Sequence, residues 1–126
     1  MTQKTAAPAR LAPVLAADAV WDGVLGVAFC LVPWLGPYVA LPAARPWPVF
    51  VLAGVACLVF SVVLAAATRS AQRVELARIA AIGNAAAALA AAVAAVALGG
   101  ASAVALGVVA VGCLAFAVPE WRLARG

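Results

Sequence analysis

Apolar positions fall into four long blocks along this chain, at about residues 14–33, 49–67, 76–98 and 101–118, and polar residues cluster between them. Each block approaches the ~20 residues that an α-helix needs to cross the ~30 Å hydrocarbon core of a bilayer. The pattern predicts an all-α membrane protein, a bundle of four transmembrane helices filling residues 13–119. Residues 1–12, polar and rich in Ala and Pro, read as a tail, and residues 120–126 as a second tail. The first block contains Asp18 and Asp22, is too long for the apolar region of a signal peptide, and is followed by no small-residue cleavage site. It is therefore read as a helix, with Pro13 in its first turn.

Breaks between the blocks carry the expected chemistry. Pro33, Pro37, Pro42, Pro46 and Pro48 interrupt any helix between the first two blocks, and Trp34, Tyr38 and Trp47 suit an aromatic belt at headgroup level. Thr68 to Arg73 forms a short basic turn, Gly99-Gly100 a tight reversal, and Pro119 a stop for the fourth helix, with Trp121 at the interface.

Composition agrees with the pattern. Hydrophobic residues make up 69% of the 126 and charged ones 10%, with a mean hydropathy of +1.20. A soluble domain is about half apolar and about a quarter charged. The formal charge of +4 does not point to nucleic acid, because the basic residues lie at helix ends. Lys4, Arg10, Arg69, Arg73, Arg78, Arg122 and Arg125 fall on one side of the implied topology and Arg45 on the other. This bias predicts a multi-pass inner-membrane protein with both termini cytoplasmic.

Packing is legible in the third block. Ala77, Ala81, Asn84, Ala88, Ala91 and Ala95 recur at spacings of four and three, whereas Ile82, Leu89, Val93 and Val96 gather elsewhere. Helices in lipid associate through close contact of small residues, so the alanine stripe should face the bundle. Ala103, Gly107 and Ala110 offer a similar surface in the fourth block.

Candidate chemistry is sparse. His is absent. Cys30, Cys57 and Cys113 are odd in number, lie in separate apolar blocks and form no CxxC pair, so they read as small packing residues. No metal site or cofactor motif is present. What remains is a polar set inside the membrane. Asp18 and Asp22, four apart, share a face of the first helix. Each costs ~2.5–3.5 kcal/mol near a helix centre, and two so close in a low dielectric resist ionising together. Asp22 lies eight residues past Val14 and Asn84 eight past Leu76, so the two should be level and hydrogen-bonded, ~12 Å in. Arg78 is placed to reach Asp18 or to snorkel to the headgroups. Trp21 adjoins Asp22 but points off its face, as a packing or lipid contact, and Glu75 and Glu120 should be solvated at helix ends.

The run Asp18-Ala19-Val20 with Gly23, Gly26 and Ala28, and Asn84 in the third helix, resembles small, mostly uncharacterised four-helix integral membrane proteins of high-GC bacteria. Gly26 followed by Val32-Pro33-Trp34 resembles the SPW-repeat membrane proteins, with Val32 where that family has Ser. The resemblance implies the four-helix topology and little chemistry. In architecture alone the chain is similar to small multidrug exporters, whose membrane-embedded acid in helix one binds protons and cationic drugs in turn.

Three functions are compatible with these features. An accessory or interaction subunit, working by helix packing as a homo-oligomer or with another membrane protein, requires the fewest unseen features. A proton-coupled transporter of a lipophilic cation would use Asp22 as its switching carboxylate. A membrane enzyme of isomerase or cyclase type would use Asp18 or Asp22 as general acid on a lipophilic small molecule.

Overall fold

A computed structural model describes residues 6–35 and 47–126. Four helices account for nearly all of them: α1 (Ala6–Leu35), α2 (Trp47–Ala67), α3 (Arg73–Leu98) and α4 (Gly100–Arg125). All four are long and apolar enough to cross a membrane, and no strand occurs among the described residues. Residues 36–46, with most of the proline-rich connection and Tyr38, lie outside the described part.

Helix boundaries differ from the expected ones in two places that matter. α1 begins at Ala6, so residues 6–12 belong to the helix and not to a tail, and Pro13 sits inside it. Leu11 and Leu15 explain this, because both are fully buried and anchor the extra turns. α4 runs through Pro119 to Arg125. The proline removes one backbone donor, leaving the Ala115 carbonyl without its helical partner, but the helix continues because its last turns also pack inward. Ala110, Cys113, Ala117, Glu120 and Ala124 form one buried stripe that crosses the proline.

The turns follow from local chemistry. Gly99 and Gly100 take φ of +65° and +57°, a left-handed geometry that Gly adopts without a Cβ clash. The Gly99 amide donates to Ala95 O at 3.0 Å and its carbonyl accepts from Ala103 N at 3.1 Å, so Gly99 closes the last turn of α3 and the first turn of α4 at once. At residues 68–72 the Thr68 hydroxyl donates to Ala65 O at 2.7 Å, and Ser70 Oγ accepts from Gln72 N at 3.0 Å.

Packing divides the chain into two hairpins. α1 lies along α2 and α3 along α4, each pair in extensive contact, while contact between the hairpins is much thinner. Small residues let the first pair approach closely. A Cβ on Gly54 would meet Gly26 O at 2.7 Å and Cys30 N at 2.8 Å, and one on Gly26 would meet Gly54 O at 2.9 Å. The Ser61 hydroxyl donates to Ala19 O at 2.6 Å across the same seam. In the second pair the alanine stripe of α3 faces inward as expected: Ala77, Ala81, Asn84, Ala88 and Ala91 are buried, and Ile82, Leu89, Val93 and Val96 are exposed.

The hairpins meet where α1 and α3 begin and α2 and α4 end. There Leu11, Leu15, Ala19, Leu64, Ala67, Ala77, Ala80 and Ala124 form one apolar cluster drawn from all four helices. Arg10, Arg69, Arg73, Arg78, Arg122 and Arg125 surround this end of the bundle.

These contacts separate two glycines that look alike in sequence. Gly54→Leu should force α1 and α2 apart and destabilise the fold by about 1–3 kcal/mol, the usual range for overpacking. Gly107→Leu should be tolerated, because nothing lies within 4 Å of its added Cβ. Reversible unfolding in mixed micelles would show both, and equal sensitivity of the two positions would contradict this packing.

Candidate functional site

One turn beyond the apolar cluster, three helices contribute polar side chains to one buried spot. Asn84 of α3 points between α1 and α4. Its amide nitrogen donates to Asp18 Oδ2 at 2.7 Å and to Glu120 Oε2 at 3.3 Å. One amide nitrogen thus holds a carboxyl of α1 and a carboxyl of α4 side by side. Asp18 and Glu120 are 0% exposed, Asn84 2% and Asp22 5%.

Helical periodicity puts these groups there. Leu11, Leu15, Asp18, Asp22 and Gly26 form the buried stripe of α1, so the two acids lie on the face that packs against the rest of the molecule. Asn84 sits in the middle of the α3 alanine stripe, where small neighbours let α1 and α4 approach. Glu120 follows Ala117 by three residues and Ala110 by ten, a spacing that returns to the same side of α4.

The pairing is shifted by one turn from the sequence-based expectation. Asn84 bonds Asp18, not Asp22. Asn84 lies eleven residues past Arg73, where α3 starts, and eleven residues past Ala6, where α1 starts, comes Ala17, beside Asp18. Counting from Val14 and Leu76 had placed Asp22 at that level. Arg78 does not reach Asp18 either. Its guanidinium donates to Glu75 Oε1 at 3.4 Å and to Ala124 O at 3.3 Å, so it ties α3 to the end of α4. Glu75 is exposed as expected, whereas Glu120 is buried and not solvated. The sequence held a signal for Glu120, the 110, 113, 117, 120 spacing, which was hidden by reading Pro119 as the helix end.

Asp22 lies one turn further from the arginine-rich end. Its Oδ2 has no hydrogen-bond partner among the described residues, and neither do Asp18 Oδ1 and Glu120 Oε1, all of them buried atoms. Trp21 is half-buried. Its ring lies directly against Gly112 of α4, where any side chain would collide, and its centroid is 6.4 Å from that of Phe116. It therefore packs inward beside the acids and does not stand free of the bundle. Three carboxyls thus line this buried face, and among the described residues no basic side chain is hydrogen-bonded to any of them.

Chemically, the site is a set of acceptors with one shared amide donor. Isolated buried charge is costly, so the set holds protons or a positively charged guest. No group of three or more His, Cys, Asp or Glu among the described residues is arranged to hold a metal ion. Among the described residues no nucleophile is hydrogen-bonded to a base in the site.

The amide fork should be the sensitive element. Asn84→Ala removes the amide donor that Asp18 and Glu120 share and should cost about 1–3 kcal/mol of stability. Glu120→Gln keeps the shape and supplies a donor of its own, so it should unfold close to wild type in the same micelle titration. The reverse order would contradict Asn84 as the tie between the two acids.

No protein-family model matches this chain, and no curated protein or solved structure matches it significantly.

Proposed function

We propose that this chain is a multi-pass bacterial inner-membrane protein with cytoplasmic termini, in which the buried acids bind a proton and a lipophilic cation in turn. Membrane insertion is supported by the four long apolar helices and by the large apolar side chains on their outward faces, such as Val20, Leu52, Ile82, Leu89 and Val104. Water would not tolerate so wide an apolar surface. Orientation is supported by the arginines that gather at one end of the bundle.

The observation that carries the functional reading is the convergence of Asp18, Asp22 and Glu120 inside the bundle without a basic partner among the described residues. Intramembrane carboxyls normally face the bundle interior and mark proton or ion pathways. A structural role alone would be served by Asn84 and one acceptor. Trp21, next to Asp22 in sequence, and Phe116 pair their rings between α1 and α4, and such aromatic faces suit an organic cation. The site also occupies the thin seam between two well-packed hairpins. A change of guest there would bear directly on how the hairpins meet.

Exchange of one guest for another has a measurable signature. Titrating tetraphenylphosphonium into the purified protein should release about one proton per cation bound, detected with a pH-indicator dye at low buffer. Affinity should rise with pH, by up to about tenfold per unit for one-proton exchange, because deprotonation frees the carboxylate that the cation needs. Asp22→Asn should abolish both signals and Glu75→Gln neither. Absence of proton release in the folded wild-type protein would refute the exchange reading. The acids would then be packing elements, and the role would fall to an accessory subunit acting through its helix surfaces.

A further inference from the structure

On the opposite side of α1 from the acids, a groove of about 710 Å³ runs along the seam with α2. It is lined by the small residues Ala19, Gly23 and Ser61, by Val20 and Val24 of α1, and, where α2 ends, by Arg69. We propose that this groove holds one acyl chain of an anionic phospholipid, with the Arg69 guanidinium on the lipid phosphate. The inference rests on the membrane reading above but not on the proton–cation exchange.

Four features select this occupant. The first is volume, which falls within the ~300–1,000 Å³ of small-molecule sites. The second is length: the lining residues on α1 run from Ala16 to Val27, about 16 Å of helix, which matches one leaflet of a ~30 Å hydrocarbon core. The third is polarity. Both hydroxyls along the groove are spent on backbone carbonyls, Ser61 on Ala19 O and Thr68 on Ala65 O, so the channel is apolar and suits a hydrocarbon chain.

The fourth feature is charge. The Arg69 side chain makes no ion pair or hydrogen bond among the described residues. It stands at the end of the groove where the other arginines gather, whereas Arg78 is engaged by Glu75. A free guanidinium at headgroup level, above a dry channel one leaflet deep, matches a phosphate joined to an acyl chain. Arginine presents several donors in a fork suited to phosphate oxygens. On the other hairpin, a groove lined by Ala81, Ala85, Leu114 and Ala117 also ends at an arginine, Arg122, but encloses only about 360 Å³. It serves as an internal control.

The test uses the full chain in nanodiscs of equal phosphatidylglycerol and phosphatidylcholine, with retained lipids counted by native mass spectrometry. Wild type should retain phosphatidylglycerol about fivefold over phosphatidylcholine, the preference that one basic residue near a membrane surface provides. Arg69→Gln should abolish the preference. Ala65→Phe, at an exposed position lining the groove, should reduce retention of both lipids without altering charge. Arg122→Gln should leave the preference intact. Equal retention of the two lipids by wild type would overturn the proposal, as would a preference that survives Arg69→Gln or that falls equally with Arg122→Gln. Failure of the chain to enter the discs would refute the membrane reading itself, and the lipid site with it.

Discussion

Asn84 donates its amide to acceptors on two other helices, and the arm that reaches Asp18 is a polar tie between hairpins that otherwise touch through a small apolar cluster and through Trp21 on Gly112 and Phe116. Helices as uniformly apolar as these gain little by hiding from lipid against one another, so their association depends on close contact and on hydrogen bonds in a low dielectric. Within each hairpin the first of these suffices: Gly26 meets Gly54 almost backbone to backbone, and the alanines of α3 lie along α4. Between hairpins the contact is thinner, and the polar tie lies across it.

That location gives the acids their significance. A carboxyl buried within a rigid seam can only hold its proton or lose the fold, whereas one placed where two rigid units meet can respond to a guest by adjusting the junction. The unpartnered oxygens of Asp18, Asp22 and Glu120 leave acceptor capacity that one asparagine amide does not fill. Desolvation keeps these groups from remaining as three free charges. Trp21, against Gly112 and beside Asp22, brings α4 and an aromatic face to the same spot. The two sides of α1 thus have different chemistry, an acidic one turned into the molecule and a dry, grooved one turned outward beneath Arg69.

The expectations that failed concern relative placement. Asp22 and Asn84 looked level because both helix starts were judged from where hydropathy rises. α1 is held eight residues earlier by Leu11 and Leu15, whose partners Leu64, Ala77 and Ala124 lie far away in sequence. Glu120 looked solvated because Pro119 usually ends a helix. It is buried because the turns on either side of the proline pack on the same neighbours, which outweighs one lost backbone hydrogen bond.

Local periodicity and composition alone determined the number of helices, the reversal at Gly99-Gly100, the inward stripe of α3 and the arrangement of basic residues at one end. Each depends on spacing along a single helix or on total apolar content. Asp18 and Asp22 were likewise legible as an unusual pair, because carboxyls in an apolar block stand out without any knowledge of partners. Only the tertiary structure decided that Asn84 meets Asp18, that Glu120 joins them, that Arg78 turns away to Glu75 and Ala124, and that a groove opens beneath Arg69. Those are relations between helices. They depend on the axial offset of one helix against another, which is set by contacts between residues distant in the chain and leaves no periodic trace in any one segment.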